Sequence, residues 1–242
     1  MQREIHGWHS RALDKYMEIA VYGHYGFALL MVPTAASDYL EYEQKGLINA
    51  IRPFIEAGKI KVFSINSINA ESWLNGQMQP QNKALRHQQF NDYVFNEIIP
   101  FIKTKTSLQT PIVATGASFG ALHSANLFFQ RPDLLHGVLA MSGCYDLSAY
   151  TQGFWDEKVY FNSPVHYLAN LADEKQLGQY RNRPIHLVAG SGSYEDPEAS
   201  RYFSAILTLK NIKHELDIWG HDIPHDWPSW LKMLPYYLET RF

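Results

Sequence analysis

Residues 111–130 read Pro-Ile-Val-Ala-Thr-Gly-Ala-Ser-Phe-Gly-Ala-Leu-His-Ser-Ala-Asn-Leu-Phe-Phe-Gln, and the fold is decided there. Residues 111–115 are a short apolar, β-prone run, and residues 119–129 carry the composition of a buried helix. Between them stands Gly116-Ala117-Ser118-Phe119-Gly120, the pattern G-x-S-x-G. By chance alone this pattern turns up in about one chain in twenty of this length at average glycine and serine usage. Its setting is the stronger signal. A strand that turns sharply into a helix at a serine forces that residue into a strained conformation and lifts its hydroxyl clear of the sheet. Flanking glycines let strand and helix approach without a Cβ clash. Ser118 is therefore the candidate nucleophile.

Outward from this turn, short β-rich runs alternate with segments of helical period, the order expected of a mostly parallel sheet. Upstream, 27–32 is a buried strand stopped by Pro33, and 61–65 follows the turn at Gly58. Residues 39–57 between them are expected to be helical. The clearest helix spans 83–106, where Phe90, Val94, Ile98 and Ile102 recur every four residues; Pro100 should kink it or begin a new turn. Downstream, strands are expected at 137–141, 184–189 and 214–219, and helices at 197–209 and 227–238. Residues 4–8 and 16–22 read as an antiparallel strand pair opening the sheet. Residues 147–182 hold no clean strand and are expected to form helices or a cap. The expected fold is a single doubly wound α/β domain over residues 1–242, with helices on both faces of the sheet.

Composition fits this picture. Of the 242 residues 46% are hydrophobic and 19% charged, an ordinary globular balance. A net charge of -3 supplies no electrostatic reason to expect nucleic acid or an anionic membrane as partner. The one cysteine, Cys144, cannot form an internal disulfide. No run reaches signal-peptide or membrane-span length, so a cytoplasmic protein is expected.

A serine hydroxyl is a weak nucleophile and needs a base, itself oriented by an acid. With a strand–G-x-S-x-G–helix unit, the order along the chain is Ser, acid, His. The last expected strand runs into Gly220-His221-Asp222-Ile223-Pro224-His225-Asp226-Trp227-Pro228-Ser229-Trp230. His225, just before the final helix, is the first candidate base and His221 the second. The four ligand-type side chains of this loop raise a metal reading. Pro224 argues against the helix on which histidines four apart ligate well, so no metal is expected. The strand before it ends in Gly190-Ser191-Gly192-Ser193-Tyr194-Glu195-Asp196-Pro197-Glu198. Glu198 and Asp196 have helix-dipole and capping reasons to be there. Glu195 has fewest, and is chosen as the acid with Asp196 as the alternative.

The segments Gly116–Gly120, Asn162-Ser163-Pro164, His225-Asp226-Trp227-Pro228-Ser229-Trp230 and Met233-Leu234-Pro235-Tyr236-Tyr237-Leu238 resemble the putative-esterase branch of the α/β-hydrolases. That branch includes feruloyl and enterobactin-type esterases, S-formylglutathione hydrolases and mycolyltransferase antigens. The resemblance implies the α/β-hydrolase fold over nearly the whole chain. It implies His225 rather than His221 as the base, because in such relatives the histidine opens the His-Asp-Trp stretch. It also supports Glu195, which follows a small residue and an aromatic after a Gly-rich turn. Many members carry His-Gly or Gly-Gly after the strand that supplies the second oxyanion donor. Here residues 28–32 run instead into Pro33-Thr34-Ala35-Ala36. The donor is a backbone N–H, so Ala35 can serve beside Phe119.

The expected activity is carboxylic-ester hydrolysis through an acyl-enzyme, with no cofactor and a small-molecule ester as partner. Trp73, with Asn69 and Glu71, is a candidate for the substrate pocket. The alternatives are an acyltransferase using the same triad and a non-catalytic hydrolase-fold binding protein. Nothing in the pattern speaks to oligomeric state.

Overall fold

The computed structural model describes all 242 residues. An antiparallel hairpin opens the chain, β1 (Arg3–Ser10) paired with β2 (Lys15–Tyr22) from Arg3 opposite Tyr22 to Ser10 opposite Lys15. β3 (Phe27–Val32) follows. The stretch expected as one helical run at 39–57 is three short helices, α1 (Glu41–Gln44), α2 (Leu47–Ala50) and α3 (Arg52–Glu56). Two residues explain the breaks. Gly46 takes φ 84°, which ends a helical turn, and Pro53 lies in the first turn of α3, where its missing N–H costs nothing.

After β4 (Ile60–Ile65) and a 3₁₀ turn at Asn69–Glu71 comes the long helix. It begins at Pro80 rather than 83, as α4 (Pro80–Tyr93), widens into a π turn at Val94–Ile98, and continues as α5 (Ile99–Lys105). The π turn lies directly ahead of Pro100, which has no N–H for the carbonyl four residues back and whose ring would press on it. Widening the helix there relieves both problems. Phe90, Val94, Ile98 and Ile102 all stay fully buried through the irregularity.

β5 (Ile112–Ala117), α6 (Phe119–Gln130) and β6 (Gly137–Met141) come next. Residues 147–182 contain no strand. They form a 3₁₀ turn at Ser148–Tyr150 and then α7 (Glu157–Asn162), α8 (Pro164–Asn170) and α9 (Glu174–Tyr180). α7 packs on α4, and α8 on α6 and α10. The chain closes with β7 (Ile185–Ala189), α10 (Pro197–Leu209), β8 (Glu215–Ile218) and α11 (Trp227–Thr240).

The strands form one eight-stranded sheet in the order β1-β2-β4-β3-β5-β6-β7-β8. β2 is antiparallel to both β1 and β4, and every other pairing is parallel. Alternation along the central strands sends side chains to two cores. Leu30, Val32 and Ala114 meet Phe90, Phe128 and Phe203 on one face. Leu29, Met31 and Val113 meet Tyr42, Ile51, Met233 and Tyr237 on the other. Helices therefore cover both faces, which is why the central strands read as continuous apolar runs. β3 leads to β4 on one side, and the next strand, β5, joins on the other. The winding reverses between β3 and β5, and a crevice opens at their carboxyl ends. No helix is long and apolar enough to cross a membrane.

Candidate active site

At that crevice β5 passes into α6 through Ser118, which holds φ 57° and ψ −120°. A non-glycine residue there costs about 1–3 kcal/mol and persists only where its surroundings over-determine it. They do so here. The Ser118 N–H donates to the carbonyl of Met141 at 3.0 Å, and its own carbonyl accepts from Ala121 at 3.0 Å. A Cβ on Gly120 would lie 2.3 Å from the Val32 carbonyl oxygen, and one on Gly116 would lie 2.5 Å from the backbone of Gly120. The ends of β3 and β5 and the start of α6 are thus in backbone contact. Tyr42 fastens the same junction: its hydroxyl donates to the Val32 carbonyl at 2.6 Å and accepts from the Ala117 N–H at 3.3 Å.

Two further loops bring the titratable groups. The loop after β7 carries Glu195, and the loop after β8 carries His225. They interlock backbone to backbone: Gly192 N–H donates to Ile223 at 3.0 Å and His225 N–H to Ser193 at 2.9 Å. Gly190 is required at the crossing, since a Cβ there would sit 2.0 Å from the Ile223 oxygen. His225 Nδ1 lies 3.3 Å from Glu195 Oε2. The second carboxylate oxygen accepts from Ser142 Oγ at 2.6 Å, and Trp230 Nε1–H donates to that same hydroxyl at 3.0 Å. Trp230 also meets the His225 ring edge-on, with centroids 5.2 Å apart. The Glu195 side chain is 1% exposed and that of His225 26%. Burial alone would raise the Glu195 carboxyl, but hydrogen bonds from His225 and Ser142 outweigh it and hold the group below the usual carboxylate range.

Asp196 is occupied differently. Its Oδ1 caps α10 by accepting from Ala199 N–H at 3.2 Å. His221 is exposed, with Nδ1 3.4 Å from the Ser191 carbonyl, and it forms no ion pair with a carboxylate. Glu195 and His225 are the pair brought together.

Ser118, His225, Phe119 and Ala35 line one cleft of about 330 Å³, bordered by Tyr150 and Tyr194. No hydrogen bond joins the Ser118 hydroxyl to His225 in this conformation; such contacts commonly tighten only around substrate. Phe119 is the first residue of α6, so its N–H has no acceptor within the helix. On the facing loop, the Thr34 N–H is taken by the buried carboxylate of Glu41 at 2.8 Å, and Ala35 is the residue that reaches the cleft. Phe119 and Ala35 thus both border the cleft, one at the start of α6 and the other on the facing loop.

Trp73 departs from its expected place. It is 2% exposed and packs beneath the cleft against Phe119, Leu122 and Leu147, so it backs the wall without forming it. Glu71 pairs with Lys15 and Arg86, and Asn69 is fully buried, so neither lines the pocket. Ser142 was not foreseen from the sequence. It lies just past β6, which pairs with β5, and that is a detectable signal; its partner Glu195 is 53 residues away, which is not.

The sequence matches the family described as "Putative esterase" over residues 34–238. No curated protein sequence matches it. Among solved structures it is similar to a ferulic acid esterase (16% identity, TM-score 0.77, covering 98% of this chain and 96% of the other). It is also similar to an S-formylglutathione hydrolase from Agrobacterium tumefaciens (14%, 0.77, 98% and 93%) and to MPT51 of Mycobacterium tuberculosis (15%, 0.73, 99% and 97%). At such identities these likenesses speak to the fold, and they agree with the two-faced, mostly parallel sheet and its switch point. With the family match spanning most of its length, the chain belongs to the putative-esterase family, ester hydrolases built on the α/β-hydrolase fold.

Proposed function

We propose that the protein is a serine carboxylic-ester hydrolase working through Ser118, His225 and Glu195. His225 Nε2 takes the proton from Ser118 Oγ as that oxygen attacks the ester carbonyl. The resulting oxyanion accepts hydrogen bonds from the N–H groups of Phe119 and Ala35. The C–O bond to the alcohol breaks, the alcohol leaves with the proton from Nε2, and the acyl group stays on Ser118. Water then gives a proton to Nε2 and attacks the acyl carbon. The carboxylic acid departs as the proton returns to Ser118 Oγ. Glu195 keeps the His225 Nδ1–H engaged throughout, so that Nε2 faces the serine.

The observation that carries this reading is one cleft holding both a strained serine, at φ 57°, and a histidine whose Nδ1 is 3.3 Å from a 1%-exposed glutamate. One uninterrupted sheet covered on both faces likewise supports reading residues 1–242 as a single domain.

The test is hydrolysis of p-nitrophenyl acetate and butyrate by the wild type, Ser118→Ala and His225→Ala, with folding checked by circular dichroism. Each variant should lose kcat by about 10⁶-fold if the groups act as a unit. Fluorophosphonate should label the wild type at Ser118 alone. Full activity in folded Ser118→Ala would remove the serine mechanism.

A further inference from the structure

Below the cleft, four buried side chains form a line that the mechanism above does not use. Trp73 Nε1–H donates to His87 Nδ1 at 2.9 Å. The rings of His87 and His123 stand nearly perpendicular, with centroids 4.6 Å apart. His123 Nε2 is 2.8 Å from Asn69 Oδ1. Asn69 Nδ2 in turn donates to the Ala35 carbonyl at 2.9 Å and to the Thr34 carbonyl at 3.3 Å. Trp73, His87, His123 and Asn69 are each at most 2% exposed.

Every proton in this line is assigned by a group that has no choice. A backbone carbonyl only accepts, so the amide of Asn69 must turn its NH₂ toward residues 34 and 35 and its oxygen toward His123. That oxygen requires a proton on His123 Nε2. An indole N–H only donates, so His87 Nδ1 must be the acceptor and Nε2 must carry the hydrogen. Burial pushes the imidazole of His123 down to about 3, and that of His87 well below its ordinary value. Both rings therefore stay neutral, with one donor and one acceptor each. The two ring atoms without partners, His87 Nε2 and His123 Nδ1, are then a donor and an acceptor on adjacent rings. All the dipoles point the same way, from Trp73 toward the loop after β3.

The end of the line matters most. The Thr34 carbonyl that accepts from Asn69 belongs to the same peptide group as the Ala35 N–H. A hydrogen bond to that oxygen polarises the group and makes its N–H a better donor, and hydrogen bonds in a chain reinforce one another. Asn69 also joins the two halves of the oxyanion hole, because His123 sits on α6, one turn beyond Ser118, while Ala35 sits on the facing loop. We propose that Asn69 and His123 are positioning residues that hold and polarise the 34–35 peptide, so that the Ala35 N–H is aimed at the oxyanion of the transition state. This rests on the serine-esterase reading and its Ala35 donor. It goes further by assigning a role to buried residues that never touch substrate.

The experiment compares wild type, Asn69→Asp, His123→Ala, His123→Gln and Ser118→Ala on p-nitrophenyl butyrate, with the affinity of each for an alkyl boronic acid that mimics the tetrahedral intermediate. Asn69→Asp keeps the side-chain shape but turns an acceptor toward two carbonyls. It should lower kcat by ~10-fold or more, within the ~10²–10³-fold lost when an oxyanion donor is itself removed, while KM stays within about twofold. Boronate affinity should fall by the same factor as kcat/KM. His123→Ala should behave likewise, and His123→Gln, whose amide N–H can still reach Asn69 Oδ1, should recover most of the loss. Nitrogen NMR of ¹⁵N-histidine-labelled wild type should show both buried rings as neutral Nε2–H tautomers.

If Asn69→Asp and His123→Ala lose only stability, with the folded fraction keeping kcat and boronate affinity, the positioning role is overturned. An Nδ1–H tautomer at either histidine would overturn the direction of the line. Should Ser118→Ala stay active, the esterase reading falls; should it be dead while Asn69→Asp is unaffected, only the positioning role falls.

Discussion

At the scale of single residues, two adjacent carboxylates take up different partners. Glu195 and Asp196 are neighbours, yet the side chain of one turns inward to His225 and Ser142, and that of the other turns along the chain to cap α10. Glu195→Gln keeps the shape but presents an amide to Nδ1 and favours the wrong tautomer. On the proposed mechanism it should lower kcat by about 10⁴-fold, the loss found when the acid of a serine triad becomes its amide. Asp196→Asn retains a good capping side chain and should cost less than about tenfold. A steady-state comparison of the two on p-nitrophenyl acetate separates them, and the reverse ranking would make Asp196 the acid. Ser142 gives a second case. It holds φ 51° just past the end of β6, and its hydroxyl bridges Glu195 and the Trp230 indole. A hydrogen bond to a charged group contributes about 1.5–3 kcal/mol, so Ser142→Ala should reduce kcat/KM by about 10–100-fold. Ser142→Gly, which relaxes the backbone, should lose as much. Recovery in the glycine variant would mean that conformation at this position, and not the hydroxyl, supports the site.

Among elements, the junction of β3, β5 and α6 leaves no room for a methyl group. Gly120→Ala would place Cβ 2.3 Å from the Val32 oxygen, which is backbone and cannot rotate away. The helix must retreat from the strand, at a cost of about 1–3 kcal/mol or more, carrying Ser118 away from Ala35. Urea unfolding and kcat should both register the change. Gly178 is the control: it lies inside α9 with nothing within 4 Å of where a methyl group would stand, so Gly178→Ala should stabilise by about 0.5–1 kcal/mol and leave kcat alone. A neutral Gly120→Ala would show that the elbow tolerates spacing changes. The same junction marks what was legible in the sequence. Strands 27–32 and 137–141 and helix 197–209 could be bounded to the residue: both-face burial writes an unbroken apolar run in the two strands, one stopped by Pro33 and the other begun at Gly137, and Pro197 opens the helix. The strained turn at Ser118 was legible because it depends on a local turn, whereas chain order narrowed the base to His225 or His221 and the acid to Glu195 or Asp196, and the family resemblance favoured His225 and Glu195. The break-up of 39–57 and the π turn before Pro100 were only half visible, since a proline announces a disturbance without saying how it is absorbed. The buried placement of Trp73 and the bridge through Asn69 were not visible at all. Both depend on side chains separated by 14 to 54 residues meeting across the sheet face, and no local pattern records that.

For the whole molecule, a sheet sealed on both faces carries the buried histidines into the native state as neutral groups, and that couples stability to pH. Unfolded, a histidine takes up a proton near pH 6.5; folded, His123 does so only near 3, and His87 is shifted the same way by desolvation. Between these limits the unfolded state binds more protons than the native state, so stability rises with pH and is lost as pH falls below about 6.5. Each fully shifted histidine contributes a slope of about 1.4 kcal/mol per pH unit once the unfolded form is protonated. His136 and His186 are also lowered, chiefly by burial, and add to the total. Carboxylates such as Glu195 act in the same direction, but only at lower pH, where their unfolded forms titrate. The window from pH 6.5 down to 5 therefore belongs to the histidines. Urea midpoints measured across it should fall steeply in the wild type. In His123→Gln, which removes one titrating group and keeps the donor to Asn69, the slope should be shallower by about 1.4 kcal/mol per pH unit toward the acid end. An unchanged slope would mean that His123 is protonated in the native protein, which would also leave the Asn69 bridge without its neutral donor.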